Sequence, residues 1–169
     1  MVDHGAELVH SAEVIDFVDG SDRFVRRGRR GQAGAAGLYY RVAATVLLAG
    51  PGHVLVYRRP STAAVYPDHH DVLIGGSVRA GETYRQAARR ELAEELGIRT
   101  DPVEALRLRR PSPVGPCHLA VHTARLVAPP APDPAEIAHH DLWPIAAFLA
   151  APPRPVVPCG RHVLHRLFG

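Results

Sequence analysis

The sequence predicts a layered α/β domain with a β-hairpin near its N-terminus. Two observations carry this. Short β-branched, apolar runs lie before and after one strongly helical segment at residues 84–96, and a second helical segment closes the chain. Strands on both sides of a helix bury their apolar faces by stacking in layers. With 169 residues, 46% of them hydrophobic, the chain is long enough for one domain with a real core.

The elements follow in order. Residues 1–11 are polar and expected to be flexible, which leaves 12–169 as a single domain. Residues 13–18 and 23–26 read as strands around the turn Asp19-Gly20-Ser21-Asp22. Residues 28–37, rich in Gly, Ala and Arg, read as a connector. Residues 41–48 and 53–57 are strands joined by Ala49-Gly50-Pro51-Gly52, and residues 71–74 form a short strand leading to Gly75-Gly76. Thr83 suits the N-cap of a helix over 84–96, with Ala87, Ala88, Leu92 and Leu96 as its apolar stripe and Gly97 as a left-handed C-cap. Residues 103–109, 118–127 and 137–143 are further strands. Proline-rich stretches lie at 128–134 and 151–158, Pro144 opens a short helix to Ala150, and 161–168 is the closing helix.

Composition narrows the classes of function. No apolar run approaches the ~20 residues of a membrane span, and no secretory signal pattern is present. Cys117 and Cys159 lack metal-type spacing and read as free thiols, which fits a cytoplasmic protein. All 20 basic residues are Arg, and Lys and Asn are absent, a bias that fits a GC-rich bacterial genome. A net charge of +3 gives little attraction to polyanions. The arginines at 23–30 lack interleaved aromatics and read as a solvated hairpin, so nucleic acid is not expected as a partner. A second copy of the chain is left open as one.

Residues 76–98 carry the chemistry. Glu91, Glu94 and Glu95 fall at i, i+3 and i+4 of the helix, on one face. Like charges so placed repel by a few tenths of a kcal/mol per pair. A hard divalent cation reverses the sign, because Mg²⁺ takes carboxylate oxygens and keeps positions for water and substrate phosphates. The helix is expected to leave these glutamates exposed beside its packed stripe.

The stretch resembles the Nudix box: a glycine, five residues, Glu, seven residues, then Arg-Glu-apolar-x-Glu-Glu-x-Gly-apolar. Gly76, Glu82, Arg90, Glu91, Leu92, Glu94, Glu95, Gly97 and Ile98 fill every fixed position. The resemblance implies an α/β/α sandwich with a mixed sheet. It also implies a Mg²⁺-dependent hydrolase, with Mn²⁺ as a substitute, that splits a diphosphate linkage in a small molecule. On that reading Glu91, Glu94 and Glu95 hold the metal. Glu82, Arg90, Glu94 and Glu95 serve catalysis, with Arg90 gripping Glu82 through a bidentate pair. The backbone of Gly75 and Gly76 and the side chain of Arg58 meet the substrate. The general base is one of Glu94 and Glu95, or a carboxylate from elsewhere, for which Glu136 is the outside candidate.

The upstream pattern resembles the Nudix branch shared by isopentenyl-diphosphate isomerases and their hydrolase relatives. It rests on Asp19, Arg23, Tyr39-Tyr40-Arg41, residues 54–59, Tyr66-Pro67, Asp71, Glu136 and Trp143. The isomerases need a cysteine and histidines, and in that register the positions hold Gly75, Ser77 and Tyr40. Their later acidic pair falls near Val114-Gly115-Pro116-Cys117, which has no carboxylate. Hydrolysis is therefore expected over isomerisation, and a non-catalytic module that senses a nucleotide or diphosphate is the alternative of a different class. Of Arg58 and Arg59, strand alternation sends one to each face. Tyr66 and Trp143 suit either base stacking or core packing. The pairs His69-His70 and His139-His140 read as surface residues, since adjacent side chains on extended chain point apart.

Overall fold

The computed structural model describes residues 12–33, 37–112 and 115–169, so the segment expected to be flexible at 1–11 lies outside the described residues. The strands are β1 (Val14–Val18), β2 (Phe24–Arg29), β3 (Tyr40–Ala49), β4 (His53–Arg58), β5 (His70–Asp71), β6 (Ile74–Ser77), β7 (Val103–Arg110), β8 (Cys117–Arg125) and β9 (His139–Pro144). Among the described residues the helices are α1 (Tyr84–Leu96), α2 (Ile145–Ala150) and α3 (Pro158–Phe168), and a single 3-10 turn, Arg30–Gln32, lies in the expected connector.

β3 is the spine of a mixed sheet. It runs parallel to β8 from Tyr40↔Cys117 to Leu48↔Arg125 and antiparallel to β6 from Val42↔Ser77 to Thr45↔Ile74. β7 adds antiparallel to β8, and β9 and β5 add antiparallel to β4. A strand buried on both faces needs a near-continuous apolar run, and residues 42–48 (Val-Ala-Ala-Thr-Val-Leu-Leu) supply it.

Alternation then divides the core into two layers. Leu47, Leu55, Tyr57 and Ile74 pack against Leu92 and Leu96 of α1. Ala44, Val46, Val54, Val56, Leu119 and Val121 pack against Phe148 of α2 and Val163 and Leu164 of α3. The sheet thus has α1 on one face and the two C-terminal helices on the other, an α/β/α sandwich.

Several boundaries differ from the sequence reading: the strand expected at 71–74 is two short strands, β5 and β6, β8 ends at Arg125 and β9 starts at His139. Three further differences have a physical reason. β2 runs on to Arg29 rather than stopping at residue 26, because pairing with β1 extends to Val14↔Arg29. α3 starts at Pro158 rather than 161: proline at the first helical position loses only an amide that would have gone unpaired. Gly75 and Gly76 lie inside β6 rather than after a strand ending at Ile74. A β-carbon on Gly75 would collide with the Ala43 carbonyl of β3, so glycine is what lets the strands pair here.

The β1–β2 hairpin is fastened to the α1 face by its turn. Asp22, at φ 63°, accepts hydrogen bonds from Arg41 Nε (2.6 Å), Tyr84 Oη (2.9 Å) and Arg107 Nη1 (3.2 Å). His118 Nε2 lies 2.9 Å from the Asp19 carbonyl.

Asp71 makes stability depend on pH. Its Oδ1 accepts from the Val72 and Leu73 amides (2.7 and 3.3 Å) deep in the fold. Burial outweighs those bonds and the nearby Arg59, and pushes the carboxyl from 3.8 up to about 7. A folded-state value above the unfolded one favours the fold fully below pH ~4, and that contribution is lost as pH rises to ~7, at about 1.4 kcal/mol per unit crossed. Asp71→Asn keeps the Oδ1 acceptor and drops the charge. Its stability relative to wild type should therefore climb between pH 4 and 7 and level off above, as measured by urea unfolding at each pH. A difference that does not change with pH would remove Asp71 from this role.

Candidate active site

α1 carries the site, and its two ends are fixed locally. Thr83 Oγ1 accepts from the Gln86 amide (3.2 Å), and the Gln86 side chain accepts from the Thr83 amide (2.8 Å). Gly97 closes the helix at φ 66°, its amide bonding the Ala93 carbonyl at 3.1 Å. Ala87, Ala88, Leu92 and Leu96 are fully buried, which fixes the rotation of the helix and so the direction of its glutamates.

Arg90 is the centre of the charge network. Its Nε and Nη2 donate to the two oxygens of Glu82 at 2.8 and 3.0 Å, a bidentate pair. Nη2 also donates to the Ser77 carbonyl at 3.0 Å, and Nη1 donates to Glu91 Oε1 at 2.5 Å and Glu94 Oε2 at 3.2 Å. Partial burial pushes Glu82 up, but hydrogen bonds from Arg90 and from the Arg79 amide prevail and hold it below the usual carboxylate range.

The three helix glutamates do not share one environment. The Glu94 side chain is 50% exposed, whereas that of Glu91 is 13% exposed. Glu95 is buried, contrary to the expectation that the metal-facing glutamates stand in solvent. The i+4 position turns Glu95 partly under the helix, toward the sheet. Burial, then the negative charges of Glu91 and Glu136, hold the Glu95 carboxyl well above the ordinary range, with Arg59 opposing. Burial likewise raises Glu91, against the pull of Arg90.

Gly76 sits directly opposite: a β-carbon there would lie 2.8 Å from Glu91 Oε1. The glycine of β6 therefore makes room for a carboxylate of α1.

Glu136 reaches Glu95 through the proline-rich loop. Ala131 and Asp133 donate their amides to the Leu96 and Glu95 carbonyls, both at 2.8 Å, capping the open end of α1. This docking could not be read from the loop's composition. Arg59 joins from the end of β4, its Nε donating to the Val65 carbonyl at 2.9 Å. Arg58, the residue expected at the substrate, is exposed and shares the strand face of Val54 and Val56, away from α1. The structure brings together Gly76, Glu82, Arg90, Glu91, Glu94 and Glu95, with Gly75 beside them in β6, and leaves Arg58 apart.

The remaining candidates fall elsewhere. Trp143 packs into the core under α2 and α3. Tyr66 meets His69 with tilted rings, 5.3 Å between ring centres. Cys117 and Cys159 are free thiols. Glu13 and Asp16 were not singled out by sequence reasoning. Arg79 Nε donates to Glu13 Oε1 and the Gly81 amide to Asp16 Oδ2, both at 3.0 Å, so β1 and the residue ahead of it grip the loop between Gly76 and Glu82. No local signal marks such a contact, which spans some 65 residues of sequence.

A family model for the NUDIX domain matches residues 39–167. This chain belongs to the Nudix family. An uncharacterised Nudix hydrolase of Rhodococcus erythropolis, orf19, is 34% identical over 94% of this chain and 94% of its own length. A second, SCO1686 of Streptomyces coelicolor, is 46% identical over 53% of this chain, a match spanning only half the length of that relative. The crystal structure of DR0079 from Deinococcus radiodurans superimposes with a TM-score of 0.78 at 25% identity, over 93% of this chain and all of that one. The NUDIX domain of Shewanella oneidensis NrtR, solved with ADP-ribose, shares the fold, with a TM-score of 0.62 at 17% identity over 76% of this chain and 85% of that one. No helix among the described residues is long and apolar enough to cross a membrane.

Proposed function

We propose that this Nudix hydrolase cleaves a diphosphate linkage in a nucleoside-diphosphate-linked or related small molecule, with Mg²⁺ as its resident ion and Mn²⁺ as a substitute. The observation that carries the reading is the pairing of Glu91 and Glu95. Two carboxyl groups buried side by side are costly as a pair of anions, and both are held above their ordinary range. A divalent cation removes that cost, and hard carboxylate oxygens are its preferred donors. Glu91, Glu94 and Glu95 fit such an ion by donor chemistry. Among the described residues no three His, Cys, Asp or Glu side chains stand ready as a metal cage, and the oxygens of Glu94 and Oε1 of Glu91 are turned to arginines.

When bound, the ion neutralises phosphate charge and acidifies water. The chain's own groups do the rest. Arg90 holds Glu82 and Glu91 in place, and the backbone at Gly75-Gly76 offers a surface without side chains. Glu94, Glu95 or Glu136 takes the proton from the attacking water. Water oxygen bonds to phosphorus as the bridging P–O bond breaks, and the leaving group departs as a phosphate or diphosphate ester.

Purified protein with Mg²⁺ should hydrolyse at least one member of a panel of nucleotide sugars, dinucleotides, nucleoside triphosphates and ADP-ribose, and EDTA should abolish the release. Tight binding across the panel without turnover, over several metals and pH values, would favour the sensing module instead. The same preparation should leave isopentenyl diphosphate unisomerised. Gly75, Ser77 and Tyr40 stand where an isomerase needs its thiol and histidines, and burial pushes the nearby Cys117 thiol up to about 11. Enzyme-dependent deuterium entry into the carbon chain in D₂O, followed by NMR, would restore the isomerase reading.

A further inference from the structure

Glu94 has both oxygens engaged by arginines, and only one of those arginines belongs to the fixed pattern of the box. Arg90 Nη1 bonds Oε2 at 3.2 Å, while Arg79 Nη1 lies 3.5 Å from Oε1. Arg79 also donates from Nε to Glu13 Oε1 at 3.0 Å. One guanidinium therefore stands between two carboxylates, one in the catalytic helix and one just ahead of β1. Its backbone is fixed there: Arg79 bridges to Ile15, its amide donates to Glu82 Oε2 at 2.9 Å, and the neighbouring Ala80 amide donates to the Val14 carbonyl at 3.0 Å. The Arg79 side chain is half exposed, whereas the Glu13 side chain is largely covered, at 17% exposure. The partly covered Arg79–Glu13 pair is the shorter and less solvated of the two, and so the stronger.

We propose that Arg79 is a positioning residue that holds Glu94 away from the cation site, and that Glu13 sets how firmly it does so by competing for the same guanidinium. This rests on the reading of Glu91, Glu94 and Glu95 as the metal-binding set. Glu94 serves a cation less readily while both of its oxygens are turned to guanidinium groups, and a positive charge beside it opposes a second positive charge. Arg79 lowers cation affinity in both ways. Glu13 offsets the effect: Arg79 meets Glu13 through Nε at 3.0 Å and Glu94 through Nη1 at 3.5 Å, and the stronger attraction to Glu13 draws the guanidinium away from Glu94. The N-terminal strand thereby tunes metal loading in the helix.

The two residues act with opposite sign, and Glu13 acts only through Arg79. The test is Mn²⁺ binding to the metal-stripped full chain, followed by electron paramagnetic resonance of free Mn²⁺, with no substrate present. Arg79→Gln should tighten Mn²⁺ about fivefold, and Glu13→Gln should weaken it about threefold, as expected for one charge a few ångströms away at moderate screening. On the Arg79→Gln background, Glu13→Gln should change nothing further, whereas Arg79→Lys should bind as wild type does. Thermal unfolding without metal confirms that each variant is folded; Arg79 is half exposed, and Gln keeps the length of the more covered Glu13. Equal affinities in wild type and Arg79→Gln would overturn the proposal. So would additive effects in the double variant, which would mean that Glu13 acts directly through its own charge. Failure of the wild type to bind Mn²⁺ would instead remove the underlying metal reading, and the proposal with it.

Discussion

Glu94→Gln and Glu95→Gln should each lower kcat on an identified substrate by roughly 100-fold to 10,000-fold, the range for loss of a metal-bound or proton-accepting carboxylate. Both variants should stay folded. Glu94 is half exposed, so its replacement removes no packing. Gln at 95 keeps the volume of a buried side chain and removes a charge that the site holds at a cost. The expected signature is therefore lost turnover with a thermal midpoint, measured without metal, that is unchanged or raised. Near-normal turnover in both variants would sink the metal assignment. A large fall in midpoint for Glu95→Gln would mean that its carboxylate is a structural partner instead.

The second large effect belongs to Arg90, with the opposite signature. Its side chain is 14% exposed and satisfies Glu82, Glu91, Glu94 and the Ser77 carbonyl together. Arg90→Ala leaves Glu91 buried without a counter-charge, at a cost of about 3 kcal/mol. For a chain of this size the thermal midpoint should fall by roughly 10 °C. Turnover should fall with it, since Glu91 and Glu94 lose the group that orders them. Arg90→Lys should recover part of the stability and little of the activity. An ammonium restores the charge, but it cannot grip both oxygens of Glu82 while reaching Glu91. Full recovery by Lys would show that charge alone suffices, and that the fork geometry of Arg90 plays no part.

How much of this was legible in the sequence follows from the range of each interaction. α1 was readable to the residue, because its caps Thr83 and Gly97, its stripe and its carboxylates act within four residues of each other. The layered fold and most strands followed from period and turn chemistry. The environment of each glutamate was not readable. Spacing puts Glu94 and Glu95 at i+3 and i+4 from Glu91, but burial of one and exposure of the other depend on the sheet beneath and on the loop at 131–137. The arginine at the site shows the same limit. Alternation separates Arg58 from Arg59, yet only the packing of Leu55 and Tyr57 against α1 reveals that Arg59 shares their side of the sheet. Gly76 was visible as a fixed position, while its reason, room for the Glu91 carboxylate, needed the distance between β6 and α1. Glu13 and Asp16 carry no local signal, and only tertiary structure brings them to the box.

Metal binding at α1 is tested most directly by anomalous diffraction at the manganese edge from crystals of the full chain soaked in Mn²⁺. A peak is expected within coordination distance of carboxylate oxygens of Glu91, Glu94 and Glu95, with Arg79 withdrawn from Glu94 toward Glu13. A peak at the exposed histidines with none at α1, or Glu94 still held by both arginines beside an occupied site, would contradict it.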